Sequence, residues 1–286
     1  GELPRSNPSI DSPPTWYRGT VIFGSADGRV YCLDGAGGKP AWTFTAAPAR
    51  RLIAVEGRLE SAWPVHGSVL VEDGTAYFAC GRSSQLDGGI TLYARDAATG
   101  AVRKRNLLAG PDYRTGPDGN VVIWKEKTSL AMMPRDDHFG ENYRLPMGIL
   151  TDVLAAADDH LFMRARVFDK DLKPTGGKPM MVPVGGYLDG NYFKRMPWTY
   201  MGEYARMLVR DGETAVYIRM FDSLRGLDPS VYFTPGEKGY LLFAMKGSGG
   251  KRGKKTRLWS ERVAVRVRTM VLAAGRVLAV GPPDPM

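Results

Sequence analysis

Gly24-Ser-Ala-Asp-Gly-Arg-Val-Tyr-Cys-Leu-Asp-Gly-Ala-Gly-Gly-Lys-Pro-Ala-Trp42 is the stretch that decides the fold class. With Thr20-Val-Ile-Phe before it, it reads as short strands separated by glycine turns. Asp27-Gly28 favours a tight hairpin, because Gly supplies the positive φ such turns demand. Arg29 to Leu33 alternates apolar and polar residues and forms the partner strand. Asp34 to Gly38 is a second turn, in which the Asp side chain accepts backbone N–H groups. Lys39 to Thr45 is a further strand. Its Pro40 suits a sheet edge, where a missing N–H costs nothing.

The same plan returns from Gly67. Ser68 to Val71 is a strand and Glu72-Asp73-Gly74 a turn. Thr75 to Cys80 is a strand, Gly81 to Gly89 a longer loop, and Ile90 to Ala94 a strand. Asp96-Ala-Ala-Thr-Gly100 is a turn and Ala101 to Arg105 a fourth strand. Asp34 and Gly38 superimpose on Asp96 and Gly100 in register, 62 residues apart. That offset exceeds one four-stranded unit of ~40–50 residues, because Ala46 to His66 is inserted as a long loop. Trp42, four residues beyond Gly38, is placed to fold back and pack between neighbouring units; Lys104 stands at the equivalent position of the second.

Farther on the repeats weaken. Asp152 to Ala165 reads as strand–turn–strand around Asp158-Asp159-His160. Ala205 to Phe221 holds a hairpin around Asp211-Gly212, although Met201, Tyr204, Ala205 and Leu208 have helical spacing, so Tyr200 to Val209 has a helix as its alternative. Gly239 to Met245 and Thr256 to Glu261 form an outer pair, and Arg268 to Val280 a last hairpin around Ala274-Gly275. Residues 1–14, with Pro4, Pro8, Pro13 and Pro14, form an extended lead-in. Residues 15–286 form one domain of about five units, the last incomplete.

Composition agrees. The 286 residues are 43% hydrophobic and 24% charged, a globular balance, and 35 Gly with 20 Pro suit many short strands. The most apolar stretch, Val263 to Pro283, is interrupted by Arg266, Arg268 and Arg276. Each would cost roughly 2.5–3.5 kcal/mol at mid-bilayer, so no membrane span is expected. Cys32 and Cys80 exclude a disulfide framework and a Cys-based zinc site. They read as two buried apolar thiols, with a single disulfide as the alternative. Five cations of the +9 chain, Lys251, Arg252, Lys254, Lys255 and Arg257, fall within seven residues. A nucleic-acid footprint needs a stripe rather than one loop tip.

Gly24 to Trp42 resembles the repeat of pyrroloquinoline-quinone (PQQ)-like β-propellers, and the resemblance is strong over residues 13–105. Residues 148–286 follow it at the level of pattern. The superfamily includes quinoprotein dehydrogenases and the non-enzymatic assembly lipoprotein of the bacterial outer membrane. The resemblance implies an all-β ring of four-stranded antiparallel blades around a channel, and a bacterial periplasmic or cell-envelope location. It also implies ligands at a channel mouth, in loops that lead into innermost strands. Here that loop is Ala46 to Gly67, with Arg50, Arg51, Glu56, Arg58, Glu60, Trp63 and His66. Glu60, Trp63 and His66 are the candidate ligand-binding residues: an apolar face with a donor, flanked by fixed polar groups. Asp34, Gly38, Trp42, Asp96 and Gly100 are the candidate structural repeat residues.

The family's enzymes hold Ca²⁺ with carboxylate and amide oxygens, use an Asp base, and often stack the quinone between a Trp and a vicinal disulfide. Cys32 and Cys80 are not vicinal, and no matching Glu, Asn and Asp set can be placed. No catalytic residue is therefore assigned and no cofactor is expected. Arg135 to Glu141, with Asp136, His138 and Glu141, is the densest polar cluster but reads as a solvated loop, so no metal site is assigned either. Gly247 to Lys255 fails the phosphate-loop spacing at Ser248 and Lys255. The leading reading is a non-catalytic PQQ-like scaffold that binds a protein partner or small polar ligand. The alternatives are a quinoprotein-type oxidoreductase using PQQ and Ca²⁺, and a polyanion-binding module through residues 251–257.

Overall fold

The computed structural model describes residues 9–55, 57–109, 114–115, 121–122, 149–164, 166–175, 198–220, 239–247 and 255–284. Among them there is no helix, and the regular structure is antiparallel strand throughout. Sheet I joins β1 (Thr15–Tyr17), β2 (Thr20–Gly24), β3 (Arg29–Asp34) and β4 (Pro40–Thr45) in chain order. A separate hairpin, β5 (Leu52–Val55) and β6 (Arg58–Ser61), follows. Sheet II is β7 (Leu70–Glu72), β8 (Thr75–Cys80), β9 (Ile90–Asp96) and β10 (Val102–Leu108). A short pair, β11 (Arg114–Thr115) and β12 (Val121–Val122), precedes sheet III. That sheet is β13 (Leu154–Ala157), β14 (His160–Met163), β15 (Arg166–Phe168) and β16 (Pro174–Thr175). Then come the pair β17 (Trp198–Tyr200) and β18 (Glu203–Ala205). Sheet IV is β19 (Met207–Asp211), β20 (Thr214–Arg219), β21 (Tyr240–Lys246) and β22 (Thr256–Val263). The hairpin β23 (Thr269–Ala273) and β24 (Arg276–Val280) is last.

The weak strand–turn–strand of Asp152 to Ala165 thus extends to a four-stranded sheet ending at Thr175, and the hairpin within Ala205 to Phe221 joins the outer pair of 239–245 and 256–261 in another. The insertion expected as a loop contains a hairpin, because Leu52-Ile-Ala-Val and Arg58-Leu-Glu-Ser pair across Gly57, whose φ is +78°. The helical alternative over Tyr200–Val209 fails, since Met201 and Gly202 take φ of +50° and +78° and turn the chain between β17 and β18.

The chain divides into two compact units, residues 1–178 and 179–286. In the first unit the packing follows from strand period. β8 is buried at every position. Its Ala76, Phe78 and Cys80 join Ile22, Val30, Cys32 and Tyr93 in one core, against sheet I. Its Tyr77 and Ala79 join Ile90, Leu92, Leu161, Met163 and Phe168 in a second core, against sheet III. A strand buried on both faces needs a sheet on each side, and sheet II has one. The first strands of the three sheets are neighbours, β1 beside β7 and β7 beside β13. Meander sheets stacked face to face with adjacent first strands are the blade packing of a β-propeller. The second unit repeats it, with β19 beside β23 and a core of Ile218, Tyr240, Val267 and Met270.

Two turns carry the repeat. Gly38 N–H donates to the Asp34 carbonyl (2.8 Å), as Gly100 N–H does to that of Asp96 (2.8 Å). Asp34 Oδ2 accepts from Gly37 N–H (2.6 Å), and Asp96 Oδ1 from Ala98 and Thr99 N–H (3.0 and 2.9 Å). Sheet III has a third such turn at Asp169, one residue shorter, with Leu172 in the left-handed region at φ +65°. Trp42 crosses to sheet II. Its Nε1–H donates to the Ala97 carbonyl (3.2 Å), and its ring lies on Gly100, where a Cβ would come within 2.7 Å.

Candidate functional site

Strand direction alternates, so the β2–β3 and β8–β9 turns and the 46–69 connection share one end of sheets I and II. Glu60, Trp63 and His66 all lie there. Ser61 N–H donates to the Ala26 carbonyl, Val65 N–H to that of Ser25, and Gly81 N–H to that of Pro64. These bonds sew residues 61–65 between the turn at 25–28 and the start of the 81–89 loop. On β6, Glu60 stands opposite Ile53.

The side chains form two groups. In the first, Arg82 Nη2–H donates to Glu60 Oε2 (2.5 Å), and His66 Nε2 faces the same oxygen at 4.0 Å. His66 Nδ1 meets Asp11 Oδ2 from the lead-in. An ionised carboxylate only accepts, so this ring nitrogen carries a proton. Gly67 N–H reaches Asp11 Oδ1 (3.3 Å), and Ser12 Oγ–H donates to it as well. Burial opposes the Asp11 charge, but the bonds from His66, Ser12 and the Gly67 N–H outweigh it and hold the carboxyl below its ordinary value. Arg82 Nε is buried without a hydrogen-bond partner. In the second group Trp63 Nε1–H donates to the Asp87 carbonyl (2.7 Å). The Arg51 guanidinium lies over the indole, 4.8 Å from a ring centroid, and ion-pairs with Asp87.

The structure therefore brings Glu60 and His66 into one network and sets Trp63 beside it with Arg51. Asp11, Arg82 and Asp87 are participants that sequence reasoning missed. Asp11 lay in a proline-rich segment, and Arg82 and Asp87 in a loop read only for its length. Arg50 and Arg58 are exposed, and Glu56 lies outside the described residues. So do Asp136, His138 and Glu141, and Lys251, Arg252 and Lys254 of the basic run. Among the described residues no three His, Cys, Asp or Glu side chains assemble as a metal site, and no helix is long and apolar enough to cross a membrane.

Chemically, the first group clasps chain segments. Asp11 ties the lead-in to His66 and Gly67; Ser68 Oγ–H adds a bond to the Pro13 carbonyl (2.9 Å). The second group stiffens the rim between residues 51 and 87. That rim exposes apolar surface at Leu86 (56%) and Leu52 (37%), beside the Arg51–Trp63 stack. The opposite end of sheets I and II holds a shallow concavity of about 450 Å³, lined by Tyr17, Arg18, Asp73, Gly74, Asp96, Ala98 and Arg103. Arg103 is committed there to Asp96 Oδ2 and Thr75 Oγ1. Cys32 and Cys80 are free thiols buried in the core between sheets I and II. Burial pushes the Cys80 thiol up to about 12, and its S–H donates to the Trp63 carbonyl (3.2 Å).

No protein-family model and no curated protein matches the chain. Among solved structures it is similar to BamB from Moraxella catarrhalis, with 14% identity over 95% of this chain and 55% of that one, at a TM-score of 0.38. It is similar to a europium-containing methanol dehydrogenase, with 13% identity over 95% of this chain and 45% of that one, at 0.38. It is also similar to the computationally designed Ika8 protein, with 12% identity over 95% of this chain and 67% of that one, at 0.39. The chain thus spans about half the length of the two natural proteins. At these scores and identities, function has to be argued from the chain's own side chains.

Proposed function

We propose that the chain is a non-catalytic scaffold built of PQQ-like blades, and that it binds a protein partner through the rim formed by residues 51–63 and 82–87. The observation that carries this reading is the way polar groups are spent at that rim. Glu60 is held by Arg82, the Trp63 N–H by the Asp87 carbonyl, and His66 by Asp11. Groups committed to one another hold a surface still, whereas reaction chemistry needs groups aimed at a substrate. What is exposed at the rim is Leu86 and Leu52, which offer apolar area, beside Arg51, which lies over the half-buried Trp63; Arg and Trp are residue types enriched at the centres of protein–protein contacts. A rigid rim with few rotamers left to freeze also lowers the entropic cost of association.

The reading places the protein in a bacterial periplasm or envelope, as a scaffold that needs neither PQQ nor Ca²⁺. Two experiments test it. A photo-crosslinker at position 86, in the native host, should give one discrete protein adduct that a Leu52→Glu/Leu86→Glu variant loses. The same crosslinker at position 171, in the Asp169 turn, should not give that adduct. Calorimetry with PQQ and Ca²⁺, followed by dye-linked alcohol oxidation, should show neither stoichiometric binding nor turnover. Binding with turnover would put the oxidoreductase reading in its place.

A further inference from the structure

The polar groups of the 51–87 rim are spent on one another, whereas at the opposite end of sheets I and II three are not. The concavity there, about 450 Å³, is walled by Tyr17 and Arg18 from sheet I and by Asp73, Gly74, Asp96 and Arg103 from sheet II. Asp96 and Arg103 form a closed pair. Asp96 Oδ2 accepts from Arg103 Nη2–H, and Arg103 Nη1–H donates to Thr75 Oγ1. Among the described residues, the exposed Arg18 guanidinium and the exposed Asp73 carboxylate have no ion-pair or hydrogen-bond partner, and neither has the Tyr17 hydroxyl.

The fold brings these three groups together. Arg18-Gly19 and Asp73-Gly74 are the same two-residue turn in successive sheets, between first and second strands, with Arg18 at φ +45° and Asp73 at φ +48°. Asp is enriched in that left-handed position, but a long side chain such as Arg is uncommon there, so the turn itself gives no reason for Arg18. Each turn is braced by the turn between third and fourth strands of its own sheet. Gly35 N–H donates to the Gly19 carbonyl (2.7 Å), and Ala97 N–H to that of Gly74 (3.0 Å). The Arg18 guanidinium lies 5.3 Å from the centroid of the Tyr17 ring, and the Tyr17 hydroxyl stands 3.4 Å from where a Cβ on Gly74 would be. A cation and a hydroxyl of sheet I thus meet a carboxylate of sheet II around one hollow.

We propose that this hollow binds a small zwitterion of amino-acid to dipeptide size. The ligand carboxylate bonds the Arg18 guanidinium and the Tyr17 hydroxyl, and the ligand ammonium bonds the Asp73 carboxylate. A simple anion would be repelled by Asp73 and a simple cation by Arg18; a ligand carrying both charges meets each group with its opposite. Such charge-assisted bonds are about twice as strong as neutral ones. The volume is sufficient, since small-molecule sites begin at roughly 300 Å³. The Asp96–Arg103 pair, each already matched by the other, is a wall that competes for neither end of the ligand. The site is separate from the 51–87 rim, so either can fail without the other.

The test titrates the full isotope-labelled chain with glycine and with diglycine at neutral pH and follows its amide resonances. Saturable shifts are expected at residues 17–19, 73–74 and 96–98 at millimolar ligand or below. Tighter binding of diglycine would name a peptide as the source of the zwitterion, and tighter binding of glycine a free amino acid; both support the site. The N-acetylated form of the better ligand lacks the ammonium, and its C-terminal amide lacks the carboxylate. Each should bind about tenfold more weakly, as should the better ligand to Arg18→Gln or Asp73→Asn, the loss expected for one charge-assisted bond. The ligand comparison leaves the protein untouched, so a folding defect cannot mimic it. No saturable shift with either zwitterion overturns the proposal. So do blocked ligands that bind as well as the zwitterion, affinity that both substitutions leave intact, or shifts that gather at 51–87 instead.

Discussion

Trp42 shows how much one side chain can do between sheets. Its indole bonds the Ala97 carbonyl and covers Gly100, so Trp42→Ala should lower stability by about 3 kcal/mol in chemical denaturation, within the range for large aromatic truncations. A change under 1 kcal/mol would show that the contact is incidental. Asp96 acts through charge. The Thr99 N–H, then the Arg103 guanidinium, the Thr99 hydroxyl and the Ala98 N–H hold its carboxyl down to about 2, against a small opposing effect of burial. A carboxyl depressed in the folded state stabilises fully above its unfolded value of about 4. That contribution is lost as pH falls through about 2. Asp96→Asn should therefore flatten the fall in stability between pH 4 and 2, followed by urea unfolding across that range. The thiols make a third case. Cys32 and Cys80 are buried and free, so iodoacetamide at pH 8 should leave the native chain unlabelled and modify both after denaturation. Failure to label after denaturation without reductant would reveal a disulfide.

Elements were legible where a glycine marked the turn. Asp27-Gly28, Asp34 to Gly38, Asp96 to Gly100 and Ala274-Gly275 all sit where the sequence placed them, because positive φ leaves few residue choices. The Asp169 turn escaped notice because Leu172 takes the left-handed position, its strain offset by burial in the core between sheets II and III. Strand β1 was hidden by its length of three residues behind two prolines. Hairpin β5–β6 was hidden because Glu56-Gly57 interrupts what looks like one polar insertion. The β13–β14 turn was legible although both its residues are Asp, at φ of +52° and +62°. A two-residue hairpin with both φ positive favours Gly at its second place. Asp159→Gly should raise stability by about 0.5 kcal/mol, and Asp159→Val should lower it by at least as much, as thermal melts would show.

Across the molecule, the all-β plan of four-stranded sheets was readable from the Asp/Gly register and from alternation in Arg29 to Leu33, whereas the burial of both faces of β8, which feed two cores, was not. The candidate site was legible only in part. Glu60, Trp63 and His66 do gather at one end of sheets I and II, but their partners Asp11, Arg82 and Asp87 come from segments with no periodicity to read. The central claim is that, within each unit, consecutive sheets stack face to face as blades. Nuclear Overhauser contacts in a sample labelled at Phe, Tyr and Trp address it directly. Phe44 of sheet I lies with its ring centroid 5.2 Å from that of Tyr93 and 6.1 Å from that of Phe78, both in sheet II. Blade packing predicts strong contacts from the Phe44 ring to both, together with contacts from the Trp42 indole to the Gly100 α-protons. Contacts from Phe44 and Trp42 confined to residues of sheet I would contradict it.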